Sequence, residues 1–358
     1  MSRYYPSIKV LITGAGAPGI KGTLFSLKNN WDNRTVTTVC VDMRNDVVGK
    51  YLCDKFYQVP PGNHEQFVPR LLDICEKEKV DVILPQVTEE LMTLSLHKKV
   101  FEEIGVHVAV SEFDVIQIAN DKYKLMNFIR KMGLPIPKFY IVRTWSELEK
   151  ISEKLGSPFV IKPPISSGMR GLRIVCKSRK NEGNFKEAFF REKPSGVKIY
   201  MDELYKILGE EFPPLLAMEY LPGKEYSVDV LSDKDKVYVV VPRTRDEIRT
   251  GITFAGTVVK NEYLIEYVEK LTRKTRLEYA HGFQFKEDKN GVPQIIESNP
   301  RIQGTMVLST LAGANIIYGA VKLALGEEIL SFNVRWGTRF LRYWGGIGVY
   351  NGEIIAEI

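Results

Sequence analysis

The chain of 358 residues is poor in the features that mark several protein classes. Its four cysteines, Cys40, Cys53, Cys75 and Cys176, are scattered and form no C-x-x-C pair. That excludes a disulfide framework and a cysteine-built zinc site, and it fits a reducing, cytoplasmic setting. No apolar run approaches the roughly 20 residues that span a bilayer. The first one, Val10-Leu11-Ile12, is too short for a signal peptide. There is no internal repeat and no low-complexity segment. Formal net charge is +6, but Lys and Arg are interleaved with Asp and Glu. Such a pattern makes no nucleic-acid footprint and supports at most a preference for anionic ligands. Neither a membrane nor a nucleic acid is therefore expected as a partner. With 44% hydrophobic and 26% charged residues, the chain is long enough for two or three domains with real cores.

What is present begins with alternating strands and helices. Residues 8–13 read as a buried strand, Gly14-Ala-Gly16-Ala-Pro-Gly19 as a tight turn, and the following residues as a helix to about Asn29. A second strand, Thr35–Val41, ends at Asp42. Gly-x-Gly-x-x-Gly after a strand, with an acidic residue further on, admits dinucleotide binding and hence an oxidoreductase. The same turn also opens α/β domains that bind no nucleotide. Glu65–Lys79 and Glu89–Phe101 have helical spacing, while Val82–Leu84 and Val106–Val110 read as strands. This alternation implies a parallel sheet with helices on both faces. Pro85-Gln-Val-Thr-Glu-Glu90 lies at a strand end, where its polar groups either line a crevice or cap a helix through Thr88.

The pattern changes near residue 112. Asp121–Met132 reads as a helix containing Lys122, and Phe139–Val142 as a strand before the helix Trp145–Leu155. Phe159–Lys162 is a strand with a lysine at its end. Ser166-Ser167-Gly168-Met-Arg-Gly171 follows and leads into the strand Leu172–Cys176. Free N–H groups in such a loop can fold over phosphates. Residues 178–214 are a polar excursion with a helix near Met201–Leu208. Beyond it, strands are expected to Glu219, then from Glu225 to Val230, over Val237–Val241 and over Ile252–Lys260. The segment between the last two carries Arg243, Arg245 and Arg249. Alternation along it puts them on one face, and we expect Arg243 or Arg245 to orient an anionic substrate bidentately. Glu262–Glu278 and Met306–Gly326 read as helices, and Ser331–Ile358 as three strand-like runs that close the domain.

One stretch organises the rest: His281–Lys286, a turn, then Val292–Arg301. Asn290-Gly291 signals a type I′ hairpin turn. That turn sets Lys289 opposite Val292 and Gln284 opposite Glu297. Gln284, Glu297 and Asn299 then share one face, and Phe283, Phe285 and Ile296 the other. A carboxylate and two amide oxygens are hard ligands suited to Mg²⁺, and Arg301 follows where it could meet a phosphate. A plain hairpin with a solvated polar face satisfies the same pattern.

Assembled, the stretches resemble the ATP-grasp superfamily over nearly the whole chain, in particular one half of the carbamoyl phosphate synthetase large subunit. The resemblance implies an α/β and α+β fold: a Rossmann-like pre-ATP-grasp domain over 1–112, a small ATP-grasp subdomain with an inserted excursion over 113–214, and a large subdomain with C-terminal strands over 215–358. ATP would lie between the two α+β subdomains. By the same resemblance Glu297 and Asn299 coordinate Mg²⁺ (or Mn²⁺), with Gln284 as third ligand, and Arg301 steadies the transferring phosphoryl. Lys122 and Lys162 grip the ATP phosphates beneath the Ser167–Gly168 loop. Glu219, Tyr220 and Leu221 form the hinge that meets adenine, and Glu225 holds the ribose. The implied activity is ATP- and Mg²⁺-dependent activation of a carboxylate as an acyl phosphate for attack by an amine, by an enzyme compatible with a homodimer. Carbamoyl phosphate synthetase carries two such halves and works with a glutaminase. One half and no glutaminase nucleophile are present here, so a different carboxylate and amine are expected. In this superfamily the first domain usually shapes a substrate site, which weakens the dinucleotide reading. A non-catalytic ATP-binding sensor or partner subunit is the alternative from another class.

Overall fold

The computed structural model of the chain describes residues 5–166, 168–177 and 197–358. Ser167 and the first part of the 178–214 excursion lie outside the described residues. The chain divides into two compact units, one of residues 1–120, 225–285 and 297–358, the other of residues 121–224 and 286–296. Contacts thus group most of the expected large subdomain with the N-terminal residues.

The first unit opens with β1 (Ile8–Thr13), α1 (Ile20–Lys28), β2 (Val36–Asp42), α2 (Gly49–Leu52), β3 (Lys55–Gln58), α3 (Phe67–Glu78) and β4 (Val82–Leu84). A 3₁₀ turn at Thr88–Glu90, α4 (Leu91–Leu96), α5 (Lys98–Glu103), β5 (His107–Val108) and α6 (Phe113–Ala119) follow. The strands form a parallel sheet in the order β3-β2-β1-β4-β5. Along β1, Ile8, Val10 and Ile12 enter one core and Leu11 the opposite one. Burial on both faces is why this strand reads as a continuous apolar run and not as an alternation.

The second unit contains α7 (Lys122–Lys131), β6 (Phe139–Thr144), α8 (Trp145–Leu155), β7 (Phe159–Lys162), β8 (Arg173–Cys176), β9 (Lys198–Tyr200), α9 (Met201–Leu208) and β10 (Glu211–Glu219). Its sheet runs β6-β10-β7-β8-β9. The Asp121 side chain caps α7 by accepting from the Tyr123 and Lys124 N–H groups. Thr144 and Glu147 form a capping box on α8. Each such cap stabilises its helix by about 1 kcal/mol.

The chain then returns to the first unit with β11 (Glu225–Ser232), β12 (Val237–Thr244), β13 (Glu247–Arg249), β14 (Ile252–Thr257), α10 (Glu262–Thr275), β15 (Tyr279–Glu287) and β16 (Pro293–Asn299), the turn-side residues 286–296 of the last two strands belonging to the second unit. α11 (Val307–Leu311), α12 (Ile316–Ala324), β17 (Arg339–Leu341), β18 (Ile347–Tyr350) and β19 (Glu353–Glu357) complete it. One sheet runs β12-β11-β15-β16, and another β13-β14-β17. Leu231, Val241, Met306 and Ile316 share a core with Val10 and Ile12. Where a single helix was expected over Met306–Gly326, two occur. Gly313 between them has φ +92°, and a Cβ there would lie 2.8 Å from the Asn333 carbonyl; Asn315 then caps α12 by accepting from the Tyr318 N–H. The C-terminal runs only partly close the unit, because β18 and β19 pair with each other alone and remain largely exposed.

Candidate active site

The turn of the organising hairpin differs from expectation. Gly291 has φ +78°, but Asn290 is not left-handed, so the type I′ turn does not form. Instead the Asp288 side chain accepts from the Asn290 and Val292 N–H groups, and its own N–H bonds the Val292 carbonyl. That side-chain capture lengthens the loop by one residue, so Asp288 and not Lys289 faces Val292. Ile295, not Ile296, is fully buried with Phe283 and Phe285. The expected ligands nevertheless converge through other groups. Gln284 Oε1 accepts from Arg245 Nη1 at 3.0 Å. Burial lowers the Arg245 pKa from its ordinary value, while Glu225 and Glu297 pull it back up. Asn299 Nδ2 donates to Glu297 Oε1 at 3.3 Å, and Arg301 Nη2 donates to Asn299 Oδ1 at 3.2 Å.

Arg245 is 8% exposed and anchored on all sides. Its Nε donates to Thr253 Oγ1, its Nη1 to Glu225 and Gln284, and its Nη2 to the Gly251 carbonyl. These contacts take four of its five N–H groups. Arg243 is placed differently. It lies inside β12 and not in a connecting segment, and it is 1% exposed. Nε and Nη2 reach the two Asp229 oxygens at 2.8 and 3.2 Å, and Nη2 also reaches Gln303 Oε1 at 3.3 Å. Ser309 Oγ donates to the same carboxylate at 2.7 Å. Arg243 thus spends its fork on protein partners. Arg249 is half exposed, pairs with Glu247 and stacks on Phe254, so it does not join the other two.

Arg301 lies at the end of the Glu-Ser-Asn-Pro-Arg run. Its Nε donates to Thr88 Oγ1 at 2.9 Å, and its Nη1 to the Ile302 carbonyl. Burial lowers its pKa, against the pull of Glu297 and Glu89. Thr88, Asp229 and Gln303 were not singled out as site residues from the sequence. Only Thr88 carried a signal, since it stands in the polar stretch after β4. Gly282 in β15 makes room for Gln303, whose Nε2 would lie 1.8 Å from a Cβ there.

In the second unit Lys122 and Lys162 are each 5% exposed. Lys122 Nζ donates to the Ser166 carbonyl at 2.7 Å, and Lys162 Nζ to the Ile296 carbonyl at 2.9 Å. The loop from β7 to β8 places Gly168, Met169 and Gly171 in left-handed conformations, with open space around Gly168. Glu219 ends β10 and accepts from the Lys138 N–H. Lys286 Nζ lies 5.6 Å from the centre of the Tyr220 ring, and Leu221 is buried. Gly223 is needed after them, because a Cβ would lie 2.5 Å from Glu287 Cβ. Glu225, expected at a ribose, is the ion-pair partner of Arg245 in the first unit.

Comparison with known proteins fits this layout. A family described as "ATP-grasp in the biosynthetic pathway with Ter operon" matches residues 211–340, and one described as "PylC-like, N-terminal domain" matches residues 10–109. The chain is thus similar to ATP-grasp proteins. The carbamoyl phosphate synthase large chain of Clostridium acetobutylicum is 22% identical over 306 residues, covering 82% of this chain and 27% of that one. The chain therefore spans about a quarter of this curated relative. The biotin carboxylase domain of Hydrogenobacter thermophilus 2-oxoglutarate carboxylase, solved as a dimer with MgADP, ADP and bicarbonate, superposes with a TM-score of 0.67 at 20% identity. The match covers 94% of this chain and 74% of that one. Staphylococcus aureus N5-carboxyaminoimidazole synthetase with ADP gives a TM-score of 0.66 at 18% identity, over 94% and 82% of the two chains. Among the described residues no helix is long and apolar enough to cross a membrane.

The glycine-rich turn is filled by the protein itself. A Cβ on Gly14 would lie 2.6 Å from Val87 Cγ2, one on Gly16 2.2 Å from Arg44 Nη2, and one on Gly19 2.8 Å from Gly304 Cα. Asp42 accepts from the Gly16 and Arg44 N–H groups. The glycines thus serve close packing, and the acidic residue that a ribose would need is engaged by this loop.

Proposed function

We propose that the chain is an ATP- and Mg²⁺-dependent ligase that activates a carboxylate as an acyl phosphate for attack by an amine. The observation that carries this reading is the convergence of Gln284, Glu297 and Asn299 with Arg245 and Arg301. One carboxylate and two amide oxygens, all half-buried, are hard ligands that fit a small hard cation, and the arginines beside them suit the phosphate oxygens it would neutralise. Among the described residues no cluster of three His, Cys, Asp or Glu offers a softer or more acidic site. Gln284, Glu297 and Asn299 would hold Mg²⁺, which when bound supplies charge neutralisation on phosphate oxygens. Lys122 and Lys162 hold the ATP phosphates, with the loop at Gly168 covering them and excluding water; Ser167, expected beside it, lies outside the described residues. Glu219, Tyr220 and Leu221 meet the base, and Glu225 takes either the ribose or, as its contact suggests, the task of fixing Arg245.

The chain's own chemistry is positioning. Arg301 bears on the oxygen charge that grows as the phosphoryl group moves. Arg245 orients the acceptor carboxylate with its remaining N–H. Arg243 is a positioning residue: it sets β12 against β11 through Asp229 and so aims Arg245. The carboxylate oxygen attacks the γ-phosphorus, ADP leaves, the amine attacks the acyl carbon, and phosphate departs with its oxygen. A homodimer is proposed on the sequence resemblance, and sedimentation tests it.

ATP should raise the melting temperature clearly with Mg²⁺ and only modestly without it, because ligands stabilise the state they bind. Glu297→Ala should remove the Mg²⁺-dependent part and leave the fold intact. A Mg²⁺ response unchanged in that variant would overturn the metal assignment.

A further inference from the structure

The parallel sheet reverses its order between β1 and β4, and ligands of such sheets bind beyond the strand carboxyl ends at the reversal. Thr13, the last residue of β1, Asp42, the last of β2, and Glu90, in the turn after β4, meet there. Glu90 is 7% exposed, and its Oε2 has no hydrogen-bond partner. Burial pushes its carboxyl pKa up to about 8, the Thr13 hydroxyl draws it down, and the Asp42 and Glu89 charges push it further up. No cation of the described residues counters it. The two neighbouring carboxylates are answered: the Arg44 guanidinium lies 3.7 Å from Asp42 Oδ1, and Arg301 feels the charge of Glu89. Gly62 packs against the stem of the Glu90 side chain, since a Cβ there would lie 2.4 Å from Glu90 Cγ.

The open oxygen of this buried carboxyl lacks a donor, and with two like charges beside it the group lacks a positive charge whenever it ionises. A hydroxyl would supply only the donor, whereas an ammonium group supplies both. We infer that Glu90, with Asp42 and Glu89 beside it, receives the ammonium group of the acid substrate, so that the acid activated is an amino acid. This rests on the ligase reading and narrows it. The connection to the reacting end is short: Thr88, two residues before Glu90, holds Arg301 Nε at 2.9 Å.

The test measures phosphate release with ATP and Mg²⁺ over the twenty standard amino acids and 4-aminobutyrate, each against its deaminated acid. At least one amino acid should give release at least tenfold above that of its deaminated partner. E90Q should abolish the preference while keeping the wild-type thermal response to ATP with Mg²⁺. G62A, which displaces the carboxyl without removing it, should weaken the preference and covers the case in which E90Q folds poorly. Equal release from deaminated acids, or an unchanged preference in both variants, would mean that Glu90 is an acid satisfied by water, and the inference falls while the ligase reading stands. No release from any acid, together with no Mg²⁺-dependent response to ATP, overturns the ligase reading itself and the inference with it.

Discussion

Arg243→Lys separates a residue that holds the site from one that touches substrate. The Arg243 and Asp229 side chains are 2% and 0% exposed and meet in a two-point fork. Lysine keeps the charge but replaces the fork by a single point, losing at least one charged hydrogen bond worth about 1.5–3 kcal/mol. Arg243→Met leaves Asp229 buried with Ser309 alone. Removing one partner of a buried ion pair costs about 3–5 kcal/mol. Met at 243 combined with Asp229→Asn should recover much of that loss, because no buried charge is then left over. Urea denaturation of the single variants and the double variant gives the coupling directly, read from midpoints at unchanged slope. If Arg243→Lys unfolds with the wild type yet loses turnover, Arg243 contacts substrate and its positioning role is wrong.

Arg245→Lys should lower kcat/KM by about one to two orders of magnitude, from roughly 1.4–3 kcal/mol of charged hydrogen bonding, with ATP affinity unmoved. Loss of ATP binding instead would move Arg245 out of the acid site. Glu90 sets a pH dependence: with its carboxyl pushed up to about 8, the folded state keeps a proton that the unfolded chain releases near 4.5. Stability contributed by the wild-type residue is therefore lost as pH rises between those values and is constant above them, by at most about 5 kcal/mol. E90Q should match the wild type near pH 4 and exceed it near pH 9; equal melting at both would refute the burial argument. NADH and NADPH should not bind measurably, because Arg44, Val87 and Gly304 occupy the glycine-rich turn; saturable micromolar binding that Gly16→Val removes would restore the oxidoreductase reading.

Local chemistry was legible wherever neighbours in sequence decide the outcome. Apolar runs and glycine turns located β1, β2, β4 and β7, and helices were expected over Asp121–Met132 and Trp145–Leu155, whose caps Asp121 and Thr144 the structure supplies. The Gln284 to Arg301 pattern was readable because ligand chemistry depends on residue type and close spacing. The hairpin register was not, because Asp288 competes for the turn amides and the Asn-Gly signal ignores it. Alternation placed Arg243 and Arg245 together but could not tell them apart. That distinction comes from distant elements: Asp229 of β11 and Ser309 of α11 close on one arginine, while Glu225 of β11 and Gln284 of β15 leave the other beside Glu297.

The sequence by itself determined the alternating α/β start, the hairpin and the set of oxygen and cation side chains, since these follow from periodicity, turn chemistry and residue type. Tertiary structure alone decided that the glycine turn packs on Gly304 and Arg44, that Arg243 is spent on Asp229, and that one oxygen of the buried Glu90 carboxyl is left open. Each of these depends on which distant group fills the space beside a side chain, and burial sets the energetic weight of that neighbour.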